Sequence, residues 1–258
     1  GIAAFIKGTA PGPAGYYGTG GAPIASQDAC TIKLEPSGGV ICLVGVTDQG
    51  QGVDTVMGQI AASAMGIPIE SVRVIEGDTD AVPYGGGTYA SRATAIGGEA
   101  TYQAALLLRS EILSIAGALL QAEANTLDIV NGNVVNKADE TFRISLSEIG
   151  RIGHFQVAEL PKHIQPTLSA TYRFRLHDAL YIFTNGIQGA YVEVDTDTGF
   201  IKLLNHWVVE DCGRVISPQL ADEQVRGGCV QGIGGALYEE CVYNETAQLQ
   251  NGTLADYL

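Results

Sequence analysis

Glycine occupies 34 of the 258 positions, roughly twice the usual share, with no collagen period. Much of it collects in three stretches: DQGQG at 48–52, YGGGTYASR at 84–92 and RGGCVQGIGG at 226–235. The first two lie between strand-like and helix-like segments, and the third lies within a helical one. At such places the backbone must turn tightly or come close to something else, because a Cβ is what usually prevents both. Apolar residues make up 46% of the chain and charged residues only 16%, against about 25% in an average globular protein. The chain is therefore expected to fold around a sizeable core, as one large domain or two modest ones.

Twenty-eight acids against fourteen bases leave a formal charge of −14. That balance argues against a nucleic-acid partner held by phosphate neutralisation. The longest apolar stretch, residues 104–122, is broken by Arg109 and Glu111, so no membrane span is expected. No secretory signal is visible, and the five cysteines are odd in number with no C-x-x-C pair. This usage fits a reduced, cytoplasmic setting.

Along the chain, residues 30–35 and 40–46 read as a hairpin turned by Pro36, Ser37, Gly38 and Gly39. A helix is expected over 54–65, stopped by Gly66 and Pro68, then a strand over 72–76 and an irregular loop. Residues 93–124 are Ala/Leu-rich at helical spacing and long enough for a central packing helix. Small strands around an Asn-Gly turn and a short helix at 145–151 follow. A second strand pair, 189–195 and 200–210, leads through DCG into a Gly-bearing helix. Both halves thus run strand, Asp-x-Gly, polar loop, Gln-bearing helix, a pattern open between internal similarity and ordinary mixed-fold grammar.

The common catalytic signatures are missing: there is no phosphate-binding G-x-x-x-x-G-K-[ST], no H-E-x-x-H and no G-x-S-x-G. The four histidines are scattered and read as surface or core residues. QGIGGALYEE has Leu237 where a dinucleotide loop needs its third glycine, which argues against a nicotinamide cofactor. In DQGQGVDT, Gly50 and Gly52 clear side chains from both sides of Gln51, leaving its amide and nearby backbone N–H groups to bond a ligand at a helix start. A tight turn capped by Asp54 would explain the same residues. In GGGTYASRATAIGG, Thr88, Ser91 and Arg92 offer hydroxyls and a cation beside a glycine run that allows close approach. In the third stretch Asp211, Cys212, Gln224 and Gln231 again flank glycines, for which a helix packed closely on a neighbour is the alternative. Together the three stretches suit a large, phosphate-bearing cofactor held by backbone and amides.

GVTDQGQGVDTVMGQIAASAMGIPIESVRVIEGDTDAVPYGGGTYASRATAIGGEA and EVDTDTGFIKLLNHWVVEDCGRVISPQLADEQVRGGCVQGIGGALYEE resemble the molybdenum-binding large subunit of the xanthine dehydrogenase, aldehyde oxidase and carbon monoxide dehydrogenase family, in its bacterial multi-subunit form. The resemblance implies an α+β fold, mixed sheets with packed helices, arranged as two related molybdopterin-binding subdomains at 1–153 and 154–258. It implies molybdopterin with molybdenum, in the cytosine dinucleotide form, with the metal held by the pterin and by no protein side chain. The residues that match the family's cofactor contacts are Gly50, Gln51, Gly52, Thr88, Ala90, Ser91, Arg92, Asp211, Cys212 and Gln224. The implied reaction is hydroxylation of an aldehyde, purine or other N-heterocycle with water as oxygen source and a glutamate as general base. Electrons would leave through 2Fe-2S clusters on a small partner subunit and FAD on a medium one. The family's glutamate lies in a Gly-x-Gly-Glu motif beyond Leu258, so no catalytic residue is assigned here. Glu223 stands where the family has glycine, Ser217 replaces its asparagine before Pro218, and RFRLHDALYIFTN at 173–185 is unlike its connection. A non-catalytic cofactor-binding or assembly module, the copper-using carbon monoxide branch, and a flavin or nicotinamide enzyme are the alternatives.

Overall fold

The structure is a computed structural model that describes residues 1–12, 27–82, 84–176 and 181–257. These residues form an α+β arrangement of three separate sheets and four α-helices, falling into two compact units: Gly8–Phe183, and Gly1–Lys7 with Thr184–Leu258. The boundary expected at residue 153 falls within a helix, Leu146–Phe155.

The larger unit is built on a four-stranded sheet ordered β4 (Val72–Ile75), β3 (Val40–Val44), β2 (Gln27–Leu34), β8 (Ser169–Arg175). Strands β2 and β3 form the expected hairpin, pairing Leu34 with Val40 and Cys30 with Val44. Strand β4 runs parallel to β3, so the chain must cross over between them, and helix α1 (Val53–Met65) makes that crossover. Gly66 ends α1 in the left-handed region at φ 74°, its N–H donating to the Ala62 carbonyl.

Helix α2 (Glu99–Leu120) packs on α1 and on the sheet. Ala100, Ala104, Leu108, Ile112 and Ala116 recur at four-residue spacing and are all buried, with small residues allowing close approach to β2 and β8. Opposite them lie Cys30, Ile32, Leu34, Val40, Cys42 and Val44. The expected single helix from residue 93 begins instead as a π-helical turn, Ala93–Gly98, and α2 stops at Gln121, which adopts φ 54°. With that turn the helix spans 28 residues and is apolar enough, by length and composition, to cross a membrane, which corrects the expectation that no segment is. Its buried stripe against the sheet is the pattern of a core helix.

Strands β5 (Leu127–Val130) and β6 (Asn133–Asn136) are joined by Asn131 and Gly132, both at positive φ as this two-residue turn requires, and β7 (Asp139–Ser145) completes the second sheet. Helix α3 (Leu146–Phe155) follows, its N-terminus capped by the Ser145 hydroxyl accepting from Glu148 N–H at 3.1 Å.

The other unit holds β1 (Ile2–Thr9), β9 (Ile182–Val194) and β10 (Ile201–Asp211) in one sheet, and helix α4 (Pro218–Leu237). Strands β9 and β10 are antiparallel, turned through Asp197, Thr198 and Gly199 as expected. None of this unit's described residues is buried. The stretch at 173–185 supplies the end of β8 and the start of β9; its residues 177–180 lie outside the described residues.

Candidate cofactor-binding site

Within the larger unit, the loop after β3 and the loop before α2 lie against each other. Gly45 and Gly85 meet backbone to backbone, so closely that a Cβ on either would collide with the other's Cα. Beyond that contact, Thr88 Oγ1 accepts from Thr47 N–H at 2.9 Å and donates to the Thr47 carbonyl at 2.7 Å. Gln49 Nε2 donates to the Thr88 carbonyl at 3.2 Å. One hydroxyl and one amide thus join two of the three glycine-rich stretches.

In DQGQG the turn is organised by Asp48. Its Oδ1 accepts from Gly50 N–H at 2.6 Å and from Gly52 N–H at 3.3 Å, so those two amides are engaged within the loop, contrary to the expectation that they are free. Gly50 takes φ 100°, which an L side chain resists. Asp54, expected as the cap, accepts from the N–H and hydroxyl of Thr55, while the residue at the N-cap of α1 is Gly52 with no side-chain cap. Gln51 Oε1 accepts from Gln49 N–H at 2.6 Å, leaving the Nε2 donors of Gln51 without an acceptor among the described residues. Desolvation works against the Asp48 carboxylate, but the hydrogen bonds from Gly50 and Gly52 outweigh it and hold its pKa below the usual value. Glu76 behaves oppositely. Burial pushes its pKa up, the Asp48 and Asp54 charges add to this, and the bond that its Oε1 accepts from Asp48 N–H offsets only part. Its Oε2 is buried without a partner.

The loop at 84–92 ends with Ala90 at φ 48° and Ser91 at φ 54°, uncommon for residues with a Cβ. Arg92, expected to offer a cation to a ligand, is 1% exposed and paired with Asp28, its Nη1 2.8 Å from Asp28 Oδ2. The Asp28 charge therefore balances it. Asp28 escaped the sequence reading, yet it shares the inward side of β2 with Cys30, Ile32 and Leu34, and an acid at that parity is a legible signal.

In the smaller unit, Asp211 closes β10 and its Oδ1 accepts from Gly213 N–H at 3.0 Å, with Gly213 at φ 75°. This is the same aspartate-to-glycine turn as Asp48 and Gly50, again between a strand and a helix. Cys212 and Gln224 are exposed. On α4 a Cβ at Gly227, Gly228, Gly232 or Gly235 would meet nothing within 4 Å, so packing against the described residues does not account for these glycines. The structure joins Gly50, Gln51 and Gly52 with Thr88, Ala90, Ser91 and Arg92 in one unit and places Asp211, Cys212 and Gln224 in the other.

Molybdopterin would need amides, backbone and open space, with no protein ligand to the metal. The residues fit on that ground: the Gln51 amide is available, and a Cβ at Gly50, Gly87 or Gly213 would enter open space. No cluster of three or more His, Cys, Asp or Glu side chains able to hold a metal occurs among the described residues.

Three sheets and four α-helices make this an α+β protein with two strand-turn-helix loops organised by an aspartate and a glycine. The chain belongs to the molybdopterin cofactor-binding domain family, whose model matches residues 1–258. It is 32% identical over its whole length to the nicotine 6-hydroxylase large subunit of Paenarthrobacter nicotinovorans and spans 31% of that protein. It is 33% identical to the carbon monoxide dehydrogenase large chain of Hydrogenophaga pseudoflava, over 89% of this chain and 28% of that one. Among solved structures, quinoline 2-oxidoreductase from Pseudomonas putida 86 superimposes with a TM-score of 0.89 at 33% identity, covering 100% of this chain and 32% of that one. The chain thus spans about a third of the length of these relatives.

Proposed function

We propose that this chain holds molybdopterin, in the cytosine dinucleotide form, within the large subunit of a bacterial molybdenum hydroxylase acting on an N-heteroaromatic substrate. The observation that carries the reading is the pair of matching aspartate-to-glycine turns, each delivering the chain into a helix and each with its glycine facing open space. The substrate class follows nicotine 6-hydroxylase and quinoline 2-oxidoreductase, to both of which the similarity extends over the entire chain. The match to carbon monoxide dehydrogenase supports that branch as the second reading.

When bound, molybdopterin supplies a redox-active molybdenum centre. The chain's own part is to hold and orient. Gln51 offers its Nε2 donors at the N-terminal end of α1, where the helix dipole also favours negative charge. Thr88 and Gln49 lock the two loops of the larger unit at a set spacing, and Ala90, Ser91 and Arg92 give the second loop its shape. Asp211, Cys212 and Gln224 are the cofactor contacts proposed for the smaller unit by itself. Two cofactor-binding subdomains, partner subunits carrying FAD and 2Fe-2S clusters, and a cytoplasmic setting belong to the same proposal.

The test is cofactor content. The complete gene product, made with its partner subunits, is expected to carry molybdenum and pterin in near-equal amounts, and Gln51→Ala combined with Gln224→Ala is expected to lower both at least tenfold, about the effect of losing two hydrogen bonds to a charged ligand. Full loading of the double variant would remove these two glutamines from the site.

A further inference from the structure

We propose that Asp28 is a positioning residue for the cofactor: through the buried Arg92 it clamps the loop at 85–92 in the shape the cofactor meets. The inference rests on the molybdopterin reading of that loop.

The clamp is built from one carboxylate and one guanidinium. Asp28 Oδ1 accepts from Ala29 N–H at 2.9 Å, which fixes the carboxylate on its own strand. Asp28 Oδ2 takes both the Arg92 Nη1 donor at 2.8 Å and the Gly86 N–H at 3.3 Å. Arg92 Nη1 also donates to the Gly87 carbonyl, and Nη2 donates to the Gln27 carbonyl at 2.6 Å. The guanidinium carbon lies 5.4 Å from the centre of the Tyr89 ring. Residues 86, 87, 89 and 92 are therefore each tied, directly or through the pair, to β2.

Backbone strain and ion-pair energetics both assign this clamp to positioning. The loop it holds contains Ala90 and Ser91 at positive φ, a shape that persists only where surrounding contacts over-determine it. The ion pair is also a poor stabiliser in its own right, since withdrawing two charges from water costs about what their attraction returns, and an apolar pair of similar volume serves stability equally well. What an apolar pair cannot do is hold the backbone of Gly86, Gly87 and Gln27 at set points. Thr88 lies inside the clamped segment and reaches Thr47 and Gln49, so the clamp also sets where the DQGQG loop sits.

The decisive comparison uses two variants of the complete gene product. Asp28→Leu with Arg92→Met removes both charges and keeps apolar volume; Arg92→Lys keeps the charge and loses the fork to Gln27 and Gly87. Three readouts are taken: the melting temperature, hydrogen exchange of the 86–92 amides in cofactor-free protein, and the rate of pterin release. The expected result is a folded protein in which loop exchange and pterin release are each about tenfold faster or more, as for loss of charge-assisted hydrogen bonds. Wild-type exchange and wild-type pterin release in either folded variant would overturn the proposal. Should the apolar pair fail to fold, Arg92→Lys decides alone. A wild-type protein without pterin would overturn the molybdopterin reading instead, and unchanged loop exchange would still refute the clamp.

Discussion

Asp48 and Glu76 are bonded neighbours whose pKa values move in opposite directions. Asp48 is held low by glycine amides, so its contribution to stability is present above its unfolded pKa and is lost as pH falls through the lower folded one. Glu76 is pushed up, so its contribution is present below its unfolded pKa and disappears as pH rises through the raised folded value. At neutral pH the charged Glu76 is therefore a cost to the loop. Glu76→Gln keeps an oxygen to accept from Asp48 N–H and removes a charge facing Asp48 and Asp54. The variant is expected to be more stable than wild type at pH 7, by under about 1 kcal/mol for a part-buried group, and to lose that advantage as pH falls below the unfolded pKa of a glutamate. A lower melting temperature at pH 7 would mean that the carboxylate stabilises the loop. The DQGQG stretch was legible as a turn, but the identity of its organiser was not. Asp48 and Asp54 both flank it, and only the folded backbone shows which carboxylate reaches Gly50 and Gly52.

Elements of this chain were readable where a local signal marks their ends. Gly66 stops α1, Asn131 and Gly132 turn β5 into β6, and Ser145 with Glu148 opens α3, each because one or two residues carry the conformational preference. The start of α2 was not, because the π-helical turn at Ala93–Gly98 sits among the close contacts of the two loops and no spacing in the sequence marks it. The approach of Gly45 to Gly85 is likewise non-local, joining residues forty apart. Gly85→Ala is expected to cost about 1–3 kcal/mol in the larger unit, since backbone is the obstacle and no side chain can swing aside. Chemical denaturation would show it, and a midpoint equal to wild type would mean that the loops can separate at no cost. Gly87→Ala meets open space but sits at φ 78°, so its penalty is one of backbone strain alone.

At the scale of the molecule, the buried core belongs to the larger unit. Every residue of the main apolar cluster lies between Cys30 and Leu168, whereas Ile187, Tyr191, Trp207, Val209 and Val230 of the smaller unit are each more than half exposed. A sheet and a helix with no fully buried residue have little apolar burial to offset the entropy of ordering their chain. Residues 8–183 made alone are expected to unfold in one cooperative transition. In the 258-residue chain, slow hydrogen exchange is expected to be confined to them. Slow exchange across β9, β10 and α4 would show that the smaller unit is stable without further partners.

The sequence by itself determined the β2–β3 hairpin, α1, β4, α3, the β9–β10 turn and the three glycine-rich stretches, which depend on local periodicity and turn chemistry. The order of its motifs carried the family resemblance and with it the α+β class; β8 was not among the expected strands. Tertiary structure alone decided that Arg92 is buried against Asp28, that Asp48 engages the amides of Gly50 and Gly52, and that a Cβ at Gly227, Gly228, Gly232 or Gly235 of α4 would meet nothing within 4 Å. The Asp28–Arg92 pair depends on residues 64 apart coming within hydrogen-bonding reach, and the Asp48 turn on which of two nearby carboxylates the folded backbone presents to Gly50 and Gly52. No one-dimensional pattern encodes that reach until the core has closed around it.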